Sequence, residues 1–457
     1  MVFYAILVTM SDTQPSTATL AESAQKVLEN NDRGLYTMPG PTLYPHQWLW
    51  DSCFIAIGQR HYDVERAKME ILSLLRGQWS NGMLPHIIFS DGHEYRRDQN
   101  FWLSRVSPFA PDDVSTSGIT QPPVLAEAIV RIGEKMPLVE RRSWYRQVWP
   151  NLVAYHTWLY TDRDPHGEGL TLQIHPWETG LDTTPPWMSE MHDHLLPWWI
   201  RAVQTTHLDS LVGMFRRDSH VEPEGKRYST IDALAMFDAQ RRLRRKAYNT
   251  QRILDHSLFA IEDLAFNSIL IRANQLLVEI AKSIRQDIPP SLQKSIDKST
   301  HTFDELWDPY TETYYSRDFV THRLLKEQSI SGLLPLYAGC ISKERAALLV
   351  KSIENEHTFG PAYPIPSTPL NSPWFKRHGY WQGPTWFNTN WLIIDGLRRY
   401  GYHHHADALT EVLHELAAKQ GFREYYDPIN GDGLGAHDFS WTAALSLDLI
   451  KSDKKRQ

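Results

Sequence analysis

Apolar residues recur at intervals of three and four along most of the chain after Leu20. This spacing is typical of α-helices that bury one face. The clearest helical stretches are residues 20–30, 64–79, 123–136, 144–160, 258–284, 344–354, 385–400 and 406–419. No comparable series of alternating β-type segments is present. The pattern therefore predicts an all-α protein.

Long loops rich in aromatic residues, glycine and proline separate these helices. They span residues 36–45, 90–120, 175–197, 363–384 and 425–435. Loops of this length are uncommon in a compact domain unless they have a function. About a dozen helices joined by such loops predict a toroid of helical hairpins, the (α/α)6 barrel, in which the loops at one end converge on a pocket.

The same pattern predicts one domain. We expect residues 1–18 to be a disordered N-terminal extension and residues 19–452 to form a single (α/α)6 catalytic domain. Residues 190–246 form a candidate cap or insertion over the pocket, although a simple surface excursion fits nearly as well. Its basic run, residues 241–246, is typical of a solvated helix face. The apolar run 1–10 is too short to span a bilayer and lacks a basic leader.

Composition narrows the function classes. The net charge of −7 argues against nucleic acids and anionic membranes as partners. Two cysteines are too few for a disulfide framework and fit a reducing compartment, so we expect a cytoplasmic protein. The 17 tryptophans and 20 tyrosines exceed what a core of this size needs. Rings beside carboxylates and amides suit sugars, so the expected partner is a small-molecule glycoside; a homo-oligomer is also compatible with the sequence.

Asp182 is the first candidate for acid–base chemistry. It follows Glu178 and a glycine, Gly180, and two indoles frame the segment, which reads His175-Pro176-Trp177-Glu178-Thr179-Gly180-Leu181-Asp182-Thr183-Thr184-Pro185-Pro186-Trp187. Desolvation beside indoles can raise the pKa of a carboxyl group and keep it protonated near neutral pH. In isolation, an aspartate that hydrogen-bonds its own turn is the simpler interpretation.

Glu424 is the second candidate. It lies in Gly421-Phe422-Arg423-Glu424-Tyr425-Tyr426-Asp427-Pro428, ahead of a glycine-rich turn. A surface pair with Arg423 would be the simpler interpretation of this segment alone. Together with Asp182, however, Glu424 would complete the two carboxyl groups that a glycosidase needs.

Three further clusters carry aromatic rings and amides at loop-to-helix junctions. They are Tyr44-Pro45-His46-Gln47-Trp48-Leu49-Trp50-Asp51, Gln121-Pro122-Pro123 and Gly379-Tyr380-Trp381-Gln382-Gly383-Pro384-Thr385-Trp386. Core packing is the default role of any single tryptophan. Four clusters of this kind, counting the one around Asp182, favour a sugar site.

Other chemistries find little support. The chain has no Gly-x-Ser-x-Gly elbow, no phosphate-binding loop and no complete dinucleotide motif. The histidines at positions 403 to 405 are consecutive, so on a helix they point in different directions and cannot chelate one ion. We therefore expect neither a metal nor a cofactor.

Together these segments resemble glycoside hydrolase family 63, in its bacterial mannosylglycerate and glucosylglycerate hydrolase branch. The resemblance covers residues 20–449. It rests on the segments already quoted and on Gly118-Ile119-Thr120-Gln121-Pro122-Pro123 and Phe439-Ser440-Trp441-Thr442-Ala443-Ala444. It implies an (α/α)6 barrel, no metal, and an inverting mechanism with Asp182 as general acid and Glu424 as general base. Inversion would place the two carboxyl groups roughly 6.5–9.5 Å apart.

The resemblance also implies a sugar-binding set. The residues expected to bind the sugar in the innermost subsite are Trp50, Asp51, Gln121, Trp177, Gly180, Tyr380, Trp381 and Trp386. Tyr44 is expected to contact the substrate, and Tyr95 to belong to a lid. Glucose and mannose are not distinguished.

The sequence departs from the family pattern at the residues expected to contact the leaving group. In the family an arginine and a following tyrosine reach the glycerate carboxylate, whereas here the stretch reads Glu222-Pro223-Glu224-Gly225-Lys226-Arg227-Tyr228. Tyr228 is kept and Glu222 replaces the arginine. Either Arg216, Lys226 or Arg227 takes over the contact, or the substrate is a neutral α-glucoside, such as glucosylglycerol or a disaccharide.

Two other classes of function are also compatible with the sequence. A sugar isomerase or epimerase on the same toroid would use histidines as proton shuttles. The histidines in or beside candidate loops are His86, His192, His194 and His378. A noncatalytic sugar-binding protein would need neither Asp182 nor Glu424.

Overall fold

The computed structural model describes residues 17–190, 200, 229–255 and 259–453. Within these ranges twelve helices build the framework and are labelled in chain order. They are α1 Thr17–Asn30, α2 Leu49–Gln59, α3 Val64–Leu75, α4 Leu125–Gly133, α5 Leu138–Asp162, α6 Leu264–Ile284, α7 Pro290–Thr302, α8 Pro335–Ala338, α9 Lys343–Glu354, α10 Phe387–Arg399, α11 His403–Gln420 and α12 Ser440–Asp453.

The even-numbered helices form a closed inner ring. Each contacts the next, α2 to α4, α4 to α6, α6 to α8, α8 to α10 and α10 to α12, and α12 packs back on α2. The odd-numbered helices pack outside, with α1 on α12, α3 on α2, α5 on α4, α7 on α6, α9 on α8 and α11 on α10. This is an (α/α)6 barrel, and the predicted fold class is confirmed.

Burial differs between the two rings, and full burial made one inner helix, α2, hard to recognise from the sequence pattern. Every residue of α2 is buried, whereas the outer helix α3 buries only one face. A helix buried on all sides carries no polar stripe, so its sequence lacks the period of an amphipathic helix. The predicted stretches omitted three inner helices, α2, α8 and α12, and the outer helix α7, whereas they covered the inner helices α4, α6 and α10.

Short elements join the barrel helices. Four antiparallel pairs of two-residue strands are β1 Gln47–Trp48 with β2 Ile87–Ile88, β3 Ile261–Glu262 with β6 Arg317–Asp318, β4 Trp307–Asp308 with β5 Thr313–Tyr314, and β7 Tyr425–Tyr426 with β8 Gly433–Leu434. Additional short helices are Arg96–Trp102, Pro185–Glu190 and Thr250–Leu254. The predicted loop 90–120 therefore contains one short α-helix, Arg96–Trp102, flanked by two 3-10 turns, His93–Tyr95 and Ser104–Val106.

The predicted cap is only partly described. Residues 191–199 and 201–228 lie outside the described ranges, and so do residues 1–16 of the predicted N-terminal extension. Helix α1 begins at Thr17, two residues before the predicted start of the domain. A helix, Thr230–Arg245, packs on Arg96–Trp102, where Arg244 Nη1 donates to the carbonyl oxygen of Phe101 at 2.9 Å. Arg241 and Arg245 of its basic run are exposed.

Helix α6 is the one helix of the described ranges that is long and apolar enough to cross a membrane. Of its most apolar window, 78% is buried inside the protein. Its position in the inner ring accounts for this composition, because a helix buried in a core is apolar all round.

Candidate active site

A cavity of about 730 Å³ opens among the loops that lead into the inner helices. Trp50 and Asp51 line it from the first turn of α2, and Trp441 from the first turn of α12. The cavity brings together most of the residues predicted from the sequence, namely Tyr44, Trp50, Asp51, Tyr95, Gln121, Trp177, Gly180, Asp182, Tyr380, Trp381 and Glu424.

Glu424 immediately precedes strand β7 and is 1% exposed. Its Oε1 accepts a hydrogen bond from the Tyr44 hydroxyl at 2.6 Å. Its Oε2 accepts one from the backbone N–H of Ala436 at 3.0 Å. These two donors fix the direction in which the carboxylate points into the cavity.

Asp182 reaches the cavity from the other side. It follows a turn at Gly180, whose φ of +73° is readily adopted by glycine. The indole N–H of Trp187 donates to the backbone oxygen of Asp182 at 3.1 Å and holds the turn. The side chain is half-buried, so it can meet a substrate.

Glu178, the other carboxylate of this segment, has a structural environment. It is fully buried, and its Oε1 accepts from Arg163 Nη2 at 2.7 Å and from the backbone N–H of Thr120 at 3.2 Å. Its Oε2 accepts from the backbone N–H of Ile174 at 2.7 Å. The ion pair with Arg163 holds Oε1 and a backbone N–H holds Oε2, so Glu178 has a structural role, and Asp182 is the carboxylate of this segment that lines the cavity.

Asp51 is a third carboxyl group in the cavity. Burial raises its pKa well above the ordinary value, and the charges of Glu424 and Asp182 raise it further. A carboxyl group that retains its proton can donate a hydrogen bond as well as accept one. Asp51 is therefore suited to hold a substrate hydroxyl group beside Asp182 and Glu424.

Indole rings form the inner end of the cavity. Trp50 lies with its ring centroid 5.5 Å from that of Trp441 and 6.3 Å from that of Trp381. Trp386, also predicted to bind the sugar, is not among the lining residues. It stacks behind Trp381 at 3.7 Å and an interplanar angle of 5°, so it supports the ring that faces the cavity.

Gly180 and Gln121 shape the same end. A Cβ atom on Gly180 would lie 2.8 Å from the Trp50 ring, so the indole occupies space that any side chain would block. Oε1 of Gln121 lies 3.5 Å from the backbone nitrogen of Trp50. Tyr380, next to Trp381, has a φ of +54°, a strained conformation for a bulky residue and one that clusters at functional sites.

Further lining residues were not predicted as sugar ligands. They include His46, Trp48, Phe89, Glu94, Asp98, Phe101, Trp102, Phe237, Phe439 and Trp441. Trp48 and Trp441 lie inside segments that already stood out in the sequence. Phe237 gave no signal, because it comes from the helix Thr230–Arg245 and reaches the cavity only through tertiary packing.

Of the four histidines on which an isomerase would depend, the two that the structure describes, His86 and His378, do not both line the cavity. His86 lines the cavity with its Nδ1 2.7 Å from Ser117 Oγ, and burial, aided by His175, lowers its pKa well below the ordinary value. His378 is absent from the lining and lies 2.8 Å from Asp427 Oδ2. His192 and His194 lie outside the described residues, as do Arg216 and Tyr228. The described residues also contain no group of three potential metal ligands.

Comparison with known proteins identifies the relatives of this chain. A family model, the mannosylglycerate hydrolase MGH1-like glycoside hydrolase domain, matches residues 44–442. The chain is 39% identical over 442 residues to the mannosylglycerate hydrolase of Thermus thermophilus, covering 93% of this chain and 99% of the relative. It is 32% identical over 449 residues to the glucosylglycerate hydrolase of Mycolicibacterium hassiacum, covering 94% and 97%.

A solved structure agrees with this relationship. The family 63 mannosylglycerate hydrolase of Thermus thermophilus, crystallised with Tris and D-glycerate, superposes with a TM-score of 0.84 at 36% identity. The match covers 94% of this chain and 99% of the other. With its barrel, its paired carboxylates and these matches, the chain belongs to the MGH1-like glycoside hydrolases of family 63.

Proposed function

We propose that the enzyme hydrolyses glucosylglycerate or mannosylglycerate with inversion at the anomeric carbon and without a metal ion. One observation carries the proposal: Asp182 and Glu424, far apart in the sequence, line a single cavity in a chain that is 39% identical to a mannosylglycerate hydrolase. The hydrolysis of a glycosidic bond needs two such carboxyl groups.

The roles follow from the surroundings of each group. Glu424 is the base, since Tyr44 and Ala436 N–H hold its two oxygens in place. It takes a proton from a water molecule, and the oxygen of that water forms the new bond to the anomeric carbon. Asp182, the acid, gives its proton to the departing glycosidic oxygen as the old bond breaks. Water enters on the face opposite to the leaving group, so the configuration inverts.

The inner end of the cavity binds the sugar. Trp50 and Trp381 offer ring faces, Asp51 and Gln121 offer hydrogen-bonding groups, and Tyr380 lies beside them. Aromatic surface with a few directed polar groups is the usual composition of small-molecule sites. The burial of Trp50 and Trp381, which are 3% and 1% exposed, suits a site that holds one terminal sugar.

The glycerate carboxylate needs a positive partner. Among the described residues that line the cavity there is no lysine or arginine. Arg216, Lys226 and Arg227 belong to residues 201–228 and are the candidates that the sequence supplies. A bidentate contact to a carboxylate favours one of the two arginines.

The test is hydrolysis of glucosylglycerate, mannosylglycerate and glucosylglycerol by the wild type, Asp182→Asn and Glu424→Gln. We expect cleavage of a glycerate conjugate, a fall in kcat of at least about 10³-fold in both variants, and activity that persists after dialysis against EDTA. NMR of the first sugar product should show the β-anomer. An α-anomer would refute inversion, full activity of either variant would refute the acid–base assignment, and interconversion without cleavage would indicate an isomerase.

A further inference from the structure

One buried carboxylate outside the cavity contacts two segments that carry cavity residues. Glu70 belongs to the outer helix α3, is 0% exposed and is absent from the described lining of the cavity. Its Oε1 accepts a hydrogen bond from the Ser52 hydroxyl at 2.6 Å. Its Oε2 accepts one from the backbone N–H of Thr37 at 2.8 Å and lies 3.0 Å from Nη2 of Arg66. Glu70 thus joins α3 to α2 and to the loop between α1 and β1.

The contact with Ser52 holds the first turn of α2. Ser52 directly follows Trp50 and Asp51, which both line the cavity. The N-cap residue of α2, Trp48, provides no side-chain hydrogen bond to the helix, whereas Asp63 caps α3 through its side chain. A helix start without a capping side chain depends on other contacts to fix its position. Ser52 supplies such a contact from within the first turn.

The contact with Thr37 holds the loop that leads to Tyr44. Thr37 is 0% exposed, and its backbone N–H is directed at Glu70. Further along the same loop, the Tyr44 hydroxyl donates to Oε1 of Glu424 at 2.6 Å. A single side chain therefore fixes both the turn that carries Asp51 and the loop that carries the donor to the proposed base.

The surroundings of Glu70 require a carboxylate. Oε2 meets the donors of Thr37 and Arg66. Ser52 Oγ accepts from Gln47 Nε2 at 3.1 Å, so its own proton is directed to Oε1. Burial raises the pKa of Glu70 to about 6 against the opposing effects of Arg66, Ser52 and Thr37, so the group is ionised at neutral pH. A carboxylate accepts at both ends, whereas an amide accepts only at its oxygen.

We propose that Glu70 is a positioning residue for hydrolysis: through Ser52 it places Trp50 and Asp51 in the cavity, and through Thr37 it places the loop of Tyr44. Because Glu70 does not line the cavity, it acts through these residues and not on the substrate. The inference rests on the proposed function, in which Asp51 holds a substrate hydroxyl group.

The experiment is a double-mutant cycle between Glu70→Gln and Asp51→Asn. Glutamine keeps the volume of Glu70 but cannot accept from donors at both ends. Values of kcat and KM are measured on the substrate that the wild type cleaves fastest, well below the unfolding temperature of each variant. Ser52→Ala removes the contact from the other side. Glu262→Gln is the matched control, since Glu262 is also 0% exposed, accepts from Arg317 Nη2 at 2.9 Å and is absent from the described lining.

We expect Glu70→Gln to lower kcat/KM by about ten-fold or more, because a small displacement of a group that orients the substrate is costly. In the Asp51→Asn background the same change should cost about three-fold or less, because the group that Glu70 positions is already altered. Ser52→Ala should show the same dependence on Asp51. Glu262→Gln should lower the unfolding temperature and leave kcat/KM unchanged.

Equal fold-losses in the two backgrounds would overturn the proposal, and so would a loss of kcat/KM in Glu262→Gln as large as that in Glu70→Gln. If Glu70→Gln does not fold, the cycle between Ser52→Ala and Asp51→Asn decides in the same way. Asp182→Asn separates this proposal from the proposed function. Full activity of Asp182→Asn would refute the acid–base assignment, whereas loss of activity in Asp182→Asn with no coupling between Glu70 and Asp51 would refute the positioning role alone.

Discussion

The hydroxyl of Tyr44 donates a hydrogen bond to Oε1 of Glu424 at 2.6 Å, although 380 positions separate the two residues in the chain. The loop before α2 and the turn before β7 are thereby joined at the proposed base. Tyr44 also packs edge-on against Trp48 and Phe439, with ring centroids 5.3 and 5.5 Å away. The two neighbouring rings hold the Tyr44 ring in place, and its hydroxyl group is directed at Oε1 of Glu424.

Removing that hydroxyl should slow the chemical step. We expect Tyr44→Phe to lower kcat by about ten- to a hundred-fold, the equivalent of one hydrogen bond to a charged group, with a smaller change in KM. Steady-state kinetics on the best substrate gives both values. Tyr310→Phe is the control, since Tyr310 is 92% exposed. A large increase in KM with kcat unchanged would show that Tyr44 acts on substrate binding instead.

Gly435 leaves room for the Glu424 side chain, and we expect activity to depend on that room as well as on the hydrogen bonds to Glu424. A Cβ atom on Gly435 would lie 2.6 Å from Glu424 Oε2, and Gly435 has a φ of +66°. Gly421 has a φ of +72°, and a Cβ atom there would meet no other atom within 4 Å. Replacing Gly421 with alanine therefore measures the cost of the strained backbone conformation alone. We expect Gly435→Ala to reduce kcat at least about ten-fold more than Gly421→Ala, and to lower thermal stability more as well, because the added Cβ atom would also lie 2.5 Å from Tyr425 Cε1. If Gly435→Ala and Gly421→Ala reduced kcat equally, displacement of Glu424 would not be the cause of the loss.

Asp427 links the turn that carries Glu424 to the loop that carries Tyr380. Its side chain is 0% exposed, and its Oδ2 accepts from Arg377 Nε at 2.6 Å and His378 Nε2 at 2.8 Å, just before Tyr380. Burial alone would raise the pKa of Asp427, but hydrogen bonds from Ile429, Arg377 and His378 lower it, so the carboxylate is ionised at neutral pH.

Breaking the contact between Asp427 and Arg377 should lower activity as well as stability. We expect Asp427→Asn and Arg377→Ala each to lower kcat/KM about ten-fold, and the double variant to be little worse than either, because both remove one interaction. Asp407→Asn, which breaks an exposed pair with Arg398 at 3.3 Å, should have no kinetic effect. Strictly additive losses in the double variant would argue against a shared role.

Asp263 should make stability depend on pH. It caps α6 by accepting from the backbone N–H of Phe266 at 2.8 Å, and burial raises its pKa to about 7. In the unfolded chain the pKa is about 3.9. The folded state thus binds the proton more tightly, so this contribution is present at low pH and is lost as the pH rises from about 4 to about 7.

An amide at this position keeps an acceptor for the helix cap and does not titrate. We therefore expect Asp263→Asn to gain stability relative to the wild type between about pH 4.5 and about pH 8, measured by urea unfolding at several pH values. Asp63→Asn is the control, because Asp63 caps α3 in the same way but is exposed. A stability difference for Asp263→Asn that is constant with pH would contradict the assignment.

Both candidate carboxyl groups, which line one cavity in the structure, could be picked out from the sequence. Asp182 and Glu424 stood out because short segments placed carboxylates beside glycine turns and aromatic rings, and local sequence controls such turns. All the outer helices except α7 were also recognised, because a helix with one solvent-exposed face leaves a periodic pattern. The same pattern could not reveal α2, which is buried on every side.

Tertiary structure alone decided which residues share the cavity. The ring that closes when α12 packs on α2 brings Trp441 beside Trp50, and packing of the helix Thr230–Arg245 brings Phe237 to the mouth. It also separated Glu178, fixed by Arg163, from Asp182, and placed Trp386 behind Trp381. Sequence specifies each residue and its local turn, whereas distances between remote segments follow from how the buried faces of all twelve helices fit together.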